Sequence, residues 1–550
     1  MFRQLRQISI IFSLKISITL CFKLTILHTN DIHGRFEEID SRGFICERIK
    51  GACFGGVARI ATVVKDARKK ERNVVFVDGG DRFTGTIWSD VYEGNASLVF
   101  FNALNYTAIT LGNHDFDYGV KTLLRFLEQI KSPVVVSNIN TNEEPLWPDD
   151  KKLVRNTTIV DVGGERVGFV GYITPYTTRS SNPGKNIKFL PIISSVQKAV
   201  DELISKGINK IIAVGHAGFQ YDKEVAKKVV GVDVVVGGHS NTFLYTGNPP
   251  SDDKCQGPYP FVVHPEHNTN LSVPVVQAYY YSKYLGKLQV TFNDAGEVTA
   301  WSGNPVLLSS TVPKDQQVYD IVKKMKVLVD KKGNEKIGQI KRKIDSTSCD
   351  IGPCFFGELV TSAMIYHYRS YNVTTSMLHH TAVLTSLHTD SQGYILYKDL
   401  FESFPYRNTI DMIELSGLDL KNCIEHAAKS GYPQVQGLAV RYSKGKPPQV
   451  ESLQIKQKPC STGISKCYVQ VNMSKTYKVV FDSYFVFQYI NTTKETINRT
   501  KGKTIYDVLA EYFKAKYPVN NDVINVAGVL TYDIVTFLSV LLATLWLLYN

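Results

Sequence analysis

The chain has 550 residues and a mass of 61.7 kDa, with 43% hydrophobic and 21% charged residues. At roughly 150 residues per domain this predicts two to four domains, and the composition excludes a disordered, collagenous or disulfide-only chain. The balance of 63 Lys+Arg against 51 Asp+Glu gives a net charge of +12. The basic clusters (Lys69-Lys70, Lys341-Arg342-Lys343) are short and not interleaved with aromatics, which argues against a nucleic-acid platform.

Arg3 and Arg6 precede an apolar stretch from Ile8 to Phe22, the pattern of a secretory signal peptide over residues 1–22. Seven β-branched runs follow: TILHTND (25–31), VVFVDGGD (74–81), AITLGNHD (108–115), VVVSNIN (134–140), RVGFVGYIT (166–174), KIIAVGHAG (210–218) and VDVVVGGHS (232–240). Amphipathic segments such as VARIATVVKDARKKE and VKTLLRFLEQI lie between them and predict helices. The later strands, PVVQAYYYS and YLGKLQVTFN, alternate more and predict antiparallel pairing. Residues 23–312 therefore read as an α/β sandwich whose active residues lie in loops beyond the strand ends.

Residues 313–336 are charged and helix-compatible and read as a linker helix; residues 337–520 read as a second domain with FGELVTSAMIYHYRS and IYDVLAEYFKAK as helices. The tail, 521–550, ends in an uncharged stretch from Ile534 to Leu548 behind a polar spacer at Asn520-Asn521-Asp522. That stretch is shorter than the ~20 residues of a spanning helix. It reads as a glycosylphosphatidylinositol attachment signal, giving a secreted or cell-surface, lipid-anchored protein, with a retained membrane tail as the alternative. Sequons stand at Asn95, Asn105, Asn156, Asn270, Asn372, Asn472, Asn491 and Asn498. In an oxidising compartment Cys46 with Cys53, Cys349 with Cys354, and Cys460 with Cys467 are each close enough to close a small loop. Cys255 and Cys423 are left free, paired with each other, or intermolecular.

The polar residues that end the strands form the chemical signal. They run Asp31-Ile32-His33, Gly80-Asp81, Gly112-Asn113-His114-Asp115, Gly215-His216 and Gly238-His239-Ser240-Asn241. Strands of one sheet that end on the same side bring these side chains together. Asp, Asn and His ligands suit two divalent cations of intermediate hardness, such as Zn²⁺ or Mn²⁺. A carboxylate can bridge them, and Asp81 is the natural candidate. Two cations ~3.5–4 Å apart clamp a phosphoryl group and activate water for in-line attack. His114, oriented by Asp117, is placed to stabilise or protonate the leaving oxygen.

The stretches LTILHTNDIHGR, GGVARI, GDRFTGTIW, LGNHDFDYGV, VVGGHSNTFLYTGNPPS and PVVQAYYYSKYLGKL resemble the calcineurin-like metallophosphoesterase superfamily, and within it the 5′-nucleotidase/apyrase family. The resemblance is strongest over residues 24–310. It implies a four-layer α/β/β/α N-terminal sandwich and an α+β C-terminal nucleotide-recognition domain that rotates about the linker helix. It also implies Asp31, His33 and Asp81 on one metal, with Asp81, Asn113, His216 and His239 on the other. The metals would be zinc, or Mn, Mg or Ca. The same resemblance implies His114 with Asp117 as the catalytic pair, Asn241 near the phosphate, extracellular nucleotides as substrates, a lipid anchor and a homodimer.

The second domain departs from the family pattern. In VLTSLHTDSQG (383–393), Thr385 and Asp390 stand where the family's Asn-Gly-Gly-Gly-Ile-Arg motif has its Asn and Arg; Asp350 stands where a second arginine follows Cys349. FVFQYINTT (485–493) replaces a Gly-Gly-Asp-Gly turn. The family's aromatic clamp on the base is represented only by Tyr406 and Tyr484. The expectation is a phosphohydrolase acting on extracellular nucleotides, as a 5′-nucleotidase or an apyrase. The alternative is a catalytically weakened homologue that binds nucleotides or antagonises a cell-surface receptor.

Overall fold

The computed structural model describes residues 21–46, 52–148, 153–349, 352–404, 407–445, 447–457, 467–490 and 499–518. The segment before residue 21, the tail after 518, Asp350, Tyr406, Cys460, Asn491 and Asn498 lie outside the described residues. Among the described residues, no helix is long and apolar enough to cross a membrane. The chain forms two compact units that divide between residues 329 and 330, inside the helix Gln316–Gly333.

Two six-stranded sheets build the first unit. One has the order Val298–Gly303, Tyr284–Phe292, Phe22–Thr29, Val74–Asp78, Ala108–Ile109, with Val306–Leu307 also paired to Tyr284–Phe292. The other runs Phe261–Val263, Val273–Val276, Val234–Val236, Ile211–His216, Glu165–Ile173, Thr157–Val162. Alternate residues of each strand meet between the sheets: Leu24, Ile26, Val75, Val77 and Leu288 pack against Phe169, Val214 and Val236. The opposite face of the second sheet, with Val170, Ala213 and Val235, is covered by Val196, Val200 and Leu203 of the helix Ile192–Ser205 and Val225 of the helix Phe219–Lys228. The helix Val57–Lys70 covers the outer side of the first sheet.

The predicted runs at 25–31, 74–81, 166–174, 210–218 and 232–240 are strands. Two expectations are corrected. In the run 134–140 only Ile139–Asn140 is a strand, with isolated bridges at Val134 and Val135. PVVQAYYYS is not purely antiparallel: Val275 and Val276 pair in parallel with Val235 and Val236, while Phe261–Val263 pairs with it antiparallel. Val273, Val275 and Val276 are all buried, as expected for a strand covered on both faces.

In the second unit a five-stranded sheet has the order Gln434–Gln436, Ser376–Leu378, Thr476–Asp482, Ile410–Ser416, Arg499–Thr500. Its core joins Met377, Ile413, Val479 and Phe481 to Leu420 and Ile424 of the helix Gly417–Ala428 and to Leu453 and Ile455 of a three-stranded sheet. The helices Phe355–His367 and Ile505–Lys516 match the two predicted from sequence. Disulfides join Cys46 to Cys53 and Cys349 to Cys354. Cys467 is disulfide-bonded, whereas Cys255 and Cys423 are free thiols, which closes the question of their pairing with each other.

Candidate metal centre

The strand Phe22–Thr29 runs into Asp31 and His33, and Val74–Asp78 runs into Asp81. Asp31 N donates to Gly80 O at 2.9 Å and His33 N donates to Asp81 O at 3.0 Å, so the two loops are laced together. Asp31, His33 and Asp81 thereby offer ligand atoms that lie within 4.8 Å of one another. From the second sheet His216 ends one strand and His239 follows the next; with Asp81 they form a second such trio. Asp81 is common to both. Gly112 is required beside it, because a Cβ there would fall 2.1 Å from Asp81 Oδ1.

The imidazoles are turned for ligation. His33 Nδ1 donates to Thr84 O at 2.7 Å and His216 Nδ1 to Gly79 O at 2.6 Å. Each bond fixes the tautomer and leaves Nε2 as a lone-pair donor. His33 Nε2 lies 3.8 Å from Asp31 Oδ1 and 3.6 Å from Asp81 Oδ2; His216 Nε2 lies 3.0 Å from Asp81 Oδ2. Asp31 Oδ1, Asn113 Oδ1 and Asn241 Oδ1 are buried without a hydrogen-bond partner. Buried polar atoms are normally satisfied. Three orphaned oxygens beside two trios of Asp and His ligand atoms are what a pair of divalent cations would satisfy, so the residues present fit the group.

The electrostatics of the cluster agree with that fit. Burial pushes the Asp31 carboxyl up to about 7, with the Asp81 charge adding to it. Burial lowers His33 to about 3 and His239 to about 4, whereas at His216 burial is overcome by the Asp81 and Asp31 carboxylates, which raise the imidazole to about 9, so that without a cation its proton supplies the positive charge beside Asp81. Burial opposes ionisation of Asp81, but His216 and His114 outweigh it and hold that carboxyl well below the usual range. Two carboxylates packed this closely call for positive charge between them.

Asp31, His33, Asp81, His239 and Asn241 all have left-handed backbone, with φ of 51°, 49°, 59°, 77° and 52°. Such strain clusters at functional sites, and Asp, Asn and His tolerate it better than most residues.

Asn113 opens a short helical turn, Asn113–Phe116, and His114 N donates to Asp81 Oδ1 at 2.8 Å. His114 is partly exposed, with Nδ1 2.8 Å from Asp117 Oδ2. Burial opposes its protonation, but the Asp117 and Asp81 carboxylates prevail and raise it to about 10. Ser181 Oγ donates to the other Asp117 oxygen at 2.6 Å.

Sequence reasoning missed the supports. Asn30 Nδ2 donates to Asp31 Oδ2 at 2.7 Å, and Asn30 Oδ1 accepts from Ala278 N at 2.8 Å. Arg82, fully buried, spans Asp78 at 2.9 Å and Asp115 at 3.1 Å. No sequence signal marked Gln277 and Asp222, which hydrogen-bond to each other behind His239.

Of the residues predicted to hold a base, Tyr484 is 40% exposed, and its ring stands edge-on to His379 at 4.6 Å. Asp390 closes the turn before Tyr394–Leu396: its Oδ1 accepts from Gln392 N at 2.9 Å and Tyr394 N at 2.8 Å.

Comparison with known proteins matches this layout. The calcineurin-like phosphoesterase family model matches residues 24–243, and the 5′-nucleotidase C-terminal domain model matches residues 336–492. The chain is 38% identical over 523 residues to the 5′-nucleotidase of Mus musculus, covering 90% of this chain and 89% of that relative. It is 36% identical over 515 residues to the snake venom 5′-nucleotidase of Naja atra, covering 90% of this chain and 96% of the relative. Among solved structures, the 5′-nucleotidase precursor from Thermus thermophilus superposes with a TM-score of 0.73 at 31% identity, over 90% of this chain and 96% of that one.

Proposed function

The chain belongs to the family of 5′-nucleotidases built on the calcineurin-like phosphoesterase fold, and from that premise we propose that it is a two-cation phosphohydrolase of extracellular nucleotides. The reaction is hydrolysis of a nucleoside monophosphate to nucleoside and phosphate, with ADP and ATP as related substrates. The observation that carries the reading is the shared position of Asp81 in two ligand trios with orphaned buried atoms around it.

Asp31, His33 and Asp81 would hold one cation, and Asp81, Asn113, His216 and His239 the other. Bound there, two divalent cations supply a Lewis-acid clamp for the phosphoryl group and an activated water. His114, kept protonated by Asp117, donates its Nε2 proton to the leaving oxygen. Asn241 orients the phosphate from the loop that carries His239. Zinc suits the His-rich set best.

The names of the relatives support this substrate class. A secreted or cell-surface location fits a chain whose relatives include a venom enzyme. The signal peptide, N-glycans, lipid anchor and homodimer belong to the same reading; release from cells by phosphatidylinositol-specific phospholipase tests the anchor. Phosphate release from AMP, ADP and ATP with Zn²⁺, Mn²⁺, Mg²⁺ or Ca²⁺ tests the activity. One observation favours a second reading: the stretch 383–393 lacks the family's Asn-Gly-Gly-Gly-Ile-Arg residues. A protein that binds ADP and releases no phosphate with any cation is a nucleotide-binding homologue instead.

A further inference from the structure

Gln277 sits at the end of the strand Val273–Val276, wholly buried, and its amide uses all four of its hydrogen-bonding positions. Nε2 donates to Asp222 Oδ2 at 2.6 Å and to Gly238 O at 3.1 Å. Oε1 accepts from Thr242 N at 3.0 Å and from Ser240 Oγ at 3.2 Å. Three of the four partners lie in the five-residue segment 238–242. That segment carries His239 and Asn241, the two left-handed residues at φ of 77° and 52°.

The fourth partner is itself fixed. Asp222, in the first turn of the helix Phe219–Lys228, accepts the Tyr172 hydroxyl on its other oxygen at 2.7 Å. Gly237 lets it approach, since a Cβ there would lie 1.8 Å from Asp222 Oδ2. The amide therefore has one orientation: its nitrogen faces a carboxylate and a carbonyl, and its oxygen faces an N–H and a hydroxyl. A flipped amide would set oxygen against oxygen on one side and donor against donor on the other.

We infer that Gln277, braced by Asp222, is a positioning residue that holds the strained 238–242 segment in the conformation that presents His239 and Asn241 to the site. This rests on the two-cation reading. Two left-handed non-glycine residues are strained and persist only where the surroundings over-determine them. Gln277 touches the segment on both sides of His239, and its side-chain amide adds to the backbone bonds that Gly218 N and Phe219 N make to Gly238 O and Ser240 Oγ and to the bond from His239 N to Asp31 Oδ2.

Gln277→Glu keeps the shape and removes the donor facing Asp222 and Gly238. Zn²⁺ affinity is read by chelator competition on the full chain, without substrate. The expected result is two bound equivalents in the native protein, with one of them weakened about 10–100-fold in the variant, the range for groups that support metal ligands. Gln277→Glu with Asp222→Asn restores a donor–acceptor pair between the two side chains and recovers part of that loss. Ser240→Ala removes one of the four amide bonds together with the bonds of Ser240 Oγ to Phe219 N and Thr242 Oγ1, and leaves the amide's other three partners in place; it serves if Gln277→Glu does not fold, and a weakening of the same equivalent is expected. Unchanged affinity for both equivalents, or equal weakening of both, overturns the inference. A native protein that binds fewer than two equivalents overturns the two-cation reading instead.

Discussion

His114 Nδ1 lies 2.8 Å from Asp117 Oδ2, three residues further along, and this contact leaves Nε2 as the face of the ring available to a substrate. His114→Ala is expected to lower kcat by roughly 10²–10⁴ with bound cation unchanged. Asp117→Asn keeps the ring present but weakens its charge, so its loss of kcat is smaller. Steady-state kinetics with metal analysis of the same samples checks both. A fall in cation content would instead make His114 a ligand.

Asp81→Ala removes the one carboxylate common to both trios. Both Zn²⁺ equivalents should weaken and turnover should vanish. His33→Ala touches one trio only and should release one equivalent. Equilibrium dialysis distinguishes the two patterns.

Asp390→Ala breaks two backbone-to-side-chain bonds that close a turn. At 0.5–1.5 kcal/mol for a typical hydrogen bond, the second unit should lose about 1–3 kcal/mol. KM for AMP should stay within about twofold, a margin worth under 0.5 kcal/mol. A marked fall in KM would show that this acid opposes the incoming phosphate, as its place in the sequence suggested.

His28 is buried opposite Gly286, where a Cβ would fall 2.0 Å from its Nε2, and it pairs with the Tyr259 hydroxyl at 2.7 Å. Burial pushes its pKa down to about 3. In the unfolded chain it titrates near 6.5. Between those values the unfolded state binds a proton that the folded state refuses, so stability falls as pH falls below about 6.5, by about 1.4 kcal/mol per pH unit. His28→Gln lacks this term. The gap in unfolding free energy between the native protein and His28→Gln should shrink by about 2 kcal/mol from pH 6.5 to 5. Urea melts at the two pH values measure it; an unchanged gap would mean that His28 titrates normally.

The layout of the first unit was legible because its strands announce themselves twice. An apolar run such as VVFVD packs one face into the core, then stops at a polar, glycine-rich turn that carries Asp81. The strand ends and the ligands are one signal. The strand leading into LGNHD is shorter than its composition suggests, Ala108–Ile109, because the chain turns early to deliver Asn113. The parallel pairing of Val275 and Val276 was hidden: alternation in PVVQAYYYS is no guide when both faces are buried. Gln277 could not be found from sequence, since its partner Asp222 is 55 residues away and neither belongs to a motif. In the second unit two helices were read from sequence and three, Tyr397–Ser403, Gly417–Ala428 and Ser483–Tyr489, were not, while the role of Asp390 as a turn-closing residue depends on hydrogen bonds that no spacing reveals.

The left-handed backbone at His239 and Asn241 sets two selection pressures against each other. Glycine at either position would relieve roughly 1–2 kcal/mol of steric cost in the folded chain, yet it would erase the side chain that the site exists to present. Breeding this protein for heat resistance alone, in the presence of a chelator, should therefore drift toward glycine at these two positions. Breeding for turnover should keep the histidine and asparagine and seek sturdiness elsewhere. The contrast between the two lineages would locate, without any kinetic assay, where the fold has given up robustness to keep its chemistry.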